Sequence, residues 1–397
     1  MRPASEAEKA RLNETFAELC RISSPFGSER AIADEVTARL RAMGLEVDED
    51  DAAGPAGAGA GNLLARIRPR TPAPGQPRSG RSIVLCAHLD TVSQAAPIEP
   101  VVVDGGWENA NDGILGADNK AAVAVMLEVA RRATVEGSPV GIELLFTVAE
   151  ENGLLGAAHF DAARLSSEFG YVFDHATPIG EVVTASPSYF RIGAEFHGRA
   201  AHAGLRPEDG RSAVLAAAHA IAAMPLGRID EETTANVGSV SGGAGSTNVV
   251  PEHARLLAEA RSVDPEKAET LVARMIDAIN DGAAVAECDV DITSRRLFAG
   301  YRQKPSSPAV TAAEAALRAC GYEPRRIATG GGSDANALEA GGFPCVNLAN
   351  GTERNHEPTE RVSVAALEGM LDVALALLDE AAALPEPEPT TAEHPSA

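Results

Sequence analysis

Stretches of near-continuous apolar residues in this chain run straight into acidic or imidazole side chains: SIVLCAHLD, IELLFTVAEENG and YVFDHA. Strands that alternate apolar and polar residues have one wet face, whereas unbroken apolar runs of this length belong to strands covered on both faces. Between the first two lies NKAAVAVMLEVARRA, with Ala122, Val125, Met126, Val129 and Ala130 at helical spacing. Strand, helix, strand in that order builds a mainly parallel sheet, so the expected fold class is α/β.

The rhythm changes at Ser188. SYFRIGAEFHG, TANVGSVSG, HARLLAEARSV and DVDITSRRLF read as strands, with helices GRSAVLAAAHAIAAM and PEKAETLVARMIDAIN between them. The order β-α-β-β-α-β is the ferredoxin-like arrangement, a two-layer unit that folds by itself. A chain of 397 residues is long for one core. The expected organisation is a catalytic domain in two parts, 1–186 and 301–383, interrupted by an inserted domain at 187–300. Residues 384–397 read as a disordered tail. AAGPAGAGAGN (52–62) and TPAPGQPRSG (71–80) read as loops, the former a long hairpin connection.

Composition narrows the partners. A formal net charge of −23 disfavours nucleic acid and anionic membrane surfaces. No apolar run approaches the ~20 residues that cross a bilayer. The charged first segment lacks a signal-peptide core, and the five scattered cysteines form no paired motif. Both point to a reducing, cytoplasmic setting.

The polar residues at the strand ends are His88 and Asp90, Glu150 and Glu151, and Asp174 and His175; Asp118 stands at a helix mouth and His356 in the late loop NLANGTERNHEPTE. In open parallel sheets, ligands bind outside the carboxyl ends of the strands. Each residue taken singly has a plainer role: Asp118 as a helix cap, the glutamates as solvated exits, the histidines as core-margin or loop residues. Together they would crowd carboxylates into one crevice, where they repel one another unless cations neutralise them. Nitrogen and carboxylate donors without thiolates suit zinc, with manganese or cobalt as alternatives. Asp90 is placed to hydrogen-bond the second nitrogen of His88.

HLDTV, GADNKAAVA, AEENGLLGA, YVFDHA, HGRAAHAG, GGGSDANAL and NHEPTE together resemble the dinuclear-zinc exopeptidase family of peptidase T, aminoacylases and related amidohydrolases, and its peptidase T-like branch above all. The resemblance implies that Asp118 bridges two divalent metals, with His88 and Asp174 completing one site and Glu151 and His356 the other. It implies Glu150 as general base, Asp90 as a further catalytic residue beside His88, and the inserted domain as lid and homodimer contact. His202 would reach a neighbouring active site to stabilise the oxyanion, and Asn248 and Arg261 would hold the substrate carboxylate. A loop histidine and a strand-surface salt bridge are the plainer readings of His202 and Arg261.

The implied activity is removal of a residue from a short peptide, a tripeptide first. A related amidohydrolase acting on N-acyl or N-carbamoyl amino acids, a silent metal-binding homologue and a serine hydrolase are the alternatives. The last rests on Gly331, Ser333 and Ala335, which approximate a nucleophile elbow.

Overall fold

The computed structural model describes residues 2–70, 80–243 and 245–385. Most of the expected loop at 71–80 and of the tail from 384 therefore lies outside the described residues.

A mixed sheet of nine strands, among the described residues, forms the larger part. Its middle is parallel: Gly141–Thr147, Ser82–His88, Phe169–His175 and Cys345–Ala349 lie side by side in that order. Antiparallel strands flank it, Val47–Glu49 and Leu63–Ile67 on one edge, Glu181–Ser186 and Tyr301–Arg302 on the other. The connection from Val47–Glu49 to Leu63–Ile67 is a hairpin that contains one helical turn, Ala53–Ala56. The apolar runs are buried along their lengths, as strands covered on both faces must be.

The helix Ala117–Glu136 lies between the sheet and the helices Glu6–Cys20 and Val364–Ala383. Its residues from Ala117 to Ala130 are all buried, so it shows no amphipathic stripe. Chain order also creates a switch point. After Ser82–His88 the sheet grows on one side through Gly141–Thr147 and on the other through Phe169–His175. The crevice between their carboxyl ends is where such folds take ligands.

Two features had no signal in the sequence. Glu181–Ser186 is a further strand of the large sheet. A small four-stranded sheet joins Pro100–Val103 and Gly106–Asn109 to Thr352–Glu353 and Arg361–Ser363, bringing the loop around His356 beside the one that leads to Asp118.

From Ser188 to Phe298 a second, wholly antiparallel sheet is ordered Thr233–Gly242, His253–Ser262, Ser188–His197, Asp289–Phe298, with the short Gly227–Arg228 on the outer edge. Alternate residues of each strand pack on the helices Ala213–Ala223 and Pro265–Val285, giving a core separate from the larger one. Asp264 caps the second helix through the N–H groups of Glu266 and Lys267, with Pro265 in its first turn. The other face of this sheet is open.

Candidate metal centre

The carboxyl ends of the parallel strands bring His88, Glu150, Glu151 and Asp174 together, and the small sheet swings His356 over them. Asp118 stands between. Its Oδ1 is 3.1 Å from His88 Nε2, which is also 3.5 Å from Asp174 Oδ1. Its Oδ2 is 3.4 Å from His356 Nε2, which is 3.0 Å from Glu151 Oε1. One carboxylate thus serves two donor groups: His88, Asp118 and Asp174, and Asp118, Glu151 and His356. Glu150 falls with His88 and Glu151 in a third group and has no ion pair among the described residues.

The donors fit cations on chemical grounds. His88 Nδ1 is 2.9 Å from the Asp90 carbonyl oxygen, which can only accept, so Nδ1 carries the proton. The Nε2 lone pair then faces two carboxylate oxygens, an arrangement that repels unless a cation or proton lies between. Glu151 Oε1 is buried and has no hydrogen-bond donor; its approach to His356 lacks hydrogen-bond geometry although the ion-pair distance is short. No lysine or arginine among the described residues ion-pairs with any of these acids.

The acidities record the same imbalance. Burial, then the Asp174 carboxylate, pushes Glu150 well above the ordinary carboxylate range. Burial and Asp118 do the same to Asp174, and burial raises Glu151 although His356 opposes it. Burial would raise Asp118 too, but His356 and His88 outweigh it and hold the carboxyl below its ordinary value. Asp118 and Glu151 push His356 up to about 10.

The supporting residues differ from expectation at one point. The carbonyl of Asp90, not its carboxylate, meets His88; the nearer carboxylate oxygen is 3.6 Å from Nδ1. That carboxylate instead accepts the backbone N–H groups of Glu150 at 3.0 Å and Glu151 at 3.1 Å. The strand end turns sharply here, with Ala149 at φ 54°, and Asp90 takes up the N–H groups the turn exposes.

Glu360 was missed altogether. Its buried carboxylate accepts from Leu115 N at 2.9 Å, Gly116 N at 2.8 Å and Asp118 N at 2.9 Å, tying down the segment that carries the shared aspartate. Asn355 donates to Asp118 Oδ2 at 2.8 Å, and Asn119 donates to Asp174 Oδ1 at 3.2 Å. His356 itself sits at φ 68°. NHEPTE contains both Asn355 and Glu360 beside His356, but no spacing rule marks them.

The remaining candidates have other partners. His202 is exposed on a loop, its Nδ1 accepting from Gly204 N at 3.2 Å. The exposed Asn248 belongs to a segment that pairs with the same loop. Arg261 is committed: it contacts Glu259 at 3.1 and 3.2 Å, donates to Gly330 O at 3.0 Å and stacks on Tyr189 at 4.1 Å. Ser333 is 1% exposed and begins the helix Asp334–Ala340 in a capping box with Asn336, so it is no exposed nucleophile.

Comparison with known proteins gives the family. A peptidase dimerisation domain matches residues 188–287 and peptidase family M28 matches residues 62–177. An uncharacterised protein of Bacillus subtilis, YqjE, is 36% identical over 94% of this chain and 98% of its own. The crystal structure of aminopeptidase PepT from Bacillus cereus superposes with a TM-score of 0.85 at 37% identity, covering 94% of this chain and 99% of that one. A tripeptidase from Staphylococcus aureus gives 0.89 at 34%, covering 95% and 99%. The chain is a metallopeptidase, a hydrolase. It belongs to the peptidase T-like branch of the M20 family.

Proposed function

We infer that the protein is a tripeptide aminopeptidase that cuts the amide bond of a short peptide with two metal ions, zinc by donor chemistry, as a cytoplasmic homodimer paired through the inserted unit. The observation that carries it is Asp118, whose two carboxylate oxygens each face a separate imidazole and a separate second carboxylate. The PepT and tripeptidase relatives supply the substrate class, and the matched dimerisation domain supports the homodimer.

His88, Asp118 and Asp174 would hold one ion, and Asp118, Glu151 and His356 the other. When bound, such a pair polarises the scissile carbonyl and acidifies a water beside it. Glu150, without an ion pair among the described residues and half-buried where its proton affinity is high, takes a proton from that water and returns it to the leaving amine. Asp90 fixes the backbone of both glutamates, so the base and its metal-binding neighbour keep their relative placement. His202 of a second copy would donate to the oxyanion, and Asn248 and Arg261 would meet the substrate carboxylate once Arg261 gives up part of its present pairing.

The test is a panel of di-, tri- and tetrapeptides plus N-acyl amino acids, assayed after chelation and reloading with zinc, manganese or cobalt. Chelation should abolish turnover, and free-amine tripeptides should be cut in preference. Turnover of N-acyl amino acids alone would replace the peptidase with an amidohydrolase. Activity that survives chelation would remove the metals from the reaction.

A further inference from the structure

The open face of the smaller sheet carries charges that the chemistry above leaves unused. Arg295 and Arg191 stand directly opposite one another on neighbouring strands, both exposed. Like charges so placed destabilise a sheet. In a chain with a net charge of −23, carboxylates are plentiful. Those on this face, however, are engaged elsewhere. Glu259, the other cross-strand neighbour of Arg191, holds Arg261. Glu195 is 3.7 Å from Arg255, and Asp291 is 3.1 Å from His197. Arg191 and Arg295 have no ion-pair or hydrogen-bond partner among the described residues.

Both arginines line a cavity of about 640 Å³ together with Tyr189, Asn236 and Leu297. Leu297, on the cavity wall, comes near the loop that follows Glu151. A Cβ placed on Gly153, two residues beyond Glu151, would lie 4.0 Å from Leu297 Cδ1. Arg261, next to Tyr189, donates to the glycine loop at Gly330.

We propose that this open face is an outer subsite of the peptide cleft, where Arg191 and Arg295 jointly bind an acidic side chain of the substrate, distinct from the terminal carboxylate that Asn248 and Arg261 would meet. The proposal rests on the peptidase reading. Two planar guanidinium forks side by side suit a carboxylate, which can accept from both and relieve their repulsion. The peptide's own C-terminal carboxylate is the competing occupant, and the experiment separates the two.

Ala-Ala-Ala, Ala-Ala-Glu and the C-terminal amide of each are titrated calorimetrically into metal-stripped wild type and the Arg191→Gln/Arg295→Gln double variant. Cleavage is then assayed with metal restored. Affinity for Ala-Ala-Glu and for its amide should fall by about tenfold in the double variant, while Ala-Ala-Ala, its amide, metal content and molecular mass are unchanged. A loss that persists for Ala-Ala-Glu amide supports the side chain; one confined to free C-termini overturns it. Arg191→Lys/Arg295→Lys should restore part of the affinity. Equal loss for all four peptides, no loss at all, or dissociation of the double variant into monomers overturns the subsite, the last by assigning these arginines to a subunit contact. Wild type that binds acid-selectively but cleaves no tripeptide keeps the subsite and removes the peptidase reading.

Discussion

Two groups of carboxylates withdrawn from solvent in this molecule shift in opposite directions. Glu8, 2% exposed, is gripped by Arg132 at 2.8 and 2.7 Å and by Arg2 at 2.7 Å. Burial would raise its carboxyl, yet these partners hold it far below the ordinary range. Glu150, Glu151 and Asp174 are half-buried, with imidazoles as their only basic neighbours among the described residues, and all three are raised. Burial alone does not decide the charge state of an acid. The N-terminal cluster brings its own cations, whereas the crevice is built to receive them.

Removing the partner at each place tests that contrast. Glu8→Ala leaves Arg132 buried without its carboxylate and should cost about 3–5 kcal/mol of stability at neutral pH, read by chemical denaturation. The sign with pH follows from a folded-state acidity below the ordinary 4.5. The stabilisation is fully present above that value and is lost as pH falls through the lower folded value. Wild type should therefore lose its advantage over Glu8→Gln on acidification below about 4.5; curves that stay parallel there would remove Glu8 from the account.

Glu150→Ala should lower kcat by about 10²–10⁴ while metal analysis still finds both ions. Emptied sites with retained turnover would exchange the roles of Glu150 and Glu151. Zinc at a hundred times its dissociation constant should stabilise the fold by about 2.7 kcal/mol. Asp118→Asn should lose most of that gain, and Glu8→Gln should keep all of it. The smallest effect is expected for Glu360→Gln, which should weaken metal binding by about 10–100-fold in a chelator-buffered titration. Unchanged metal affinity would show that the segment bearing Asp118 holds its position without Glu360.

The apolar strands and the acids that follow them were legible because burial on both faces leaves a mark in consecutive residues. So was the alternation of the second sheet, from Ile192 and Phe196 inward to Arg191 and Glu195 outward. Contacts between distant segments left no such mark. Glu360 reaches Leu115 across 245 positions, and nothing local distinguishes it from a solvated glutamate. The strands that lift His356 into place run to at most four residues each, too short for a period. Asp90 was singled out correctly as a neighbour of His88, but sequence does not separate a residue's carbonyl from its carboxylate.

The chain departs for the second sheet and comes back at nearly the same point. Tyr301 pairs with Ser186, and Gly300 N donates to Ser188 Oγ at 2.9 Å. A two-residue turn joining those adjoining backbones would close the large sheet without disturbing its registers. The intervening segment is thus a cassette, open to exchange between relatives by a single crossover at each side while the crevice beneath is inherited intact.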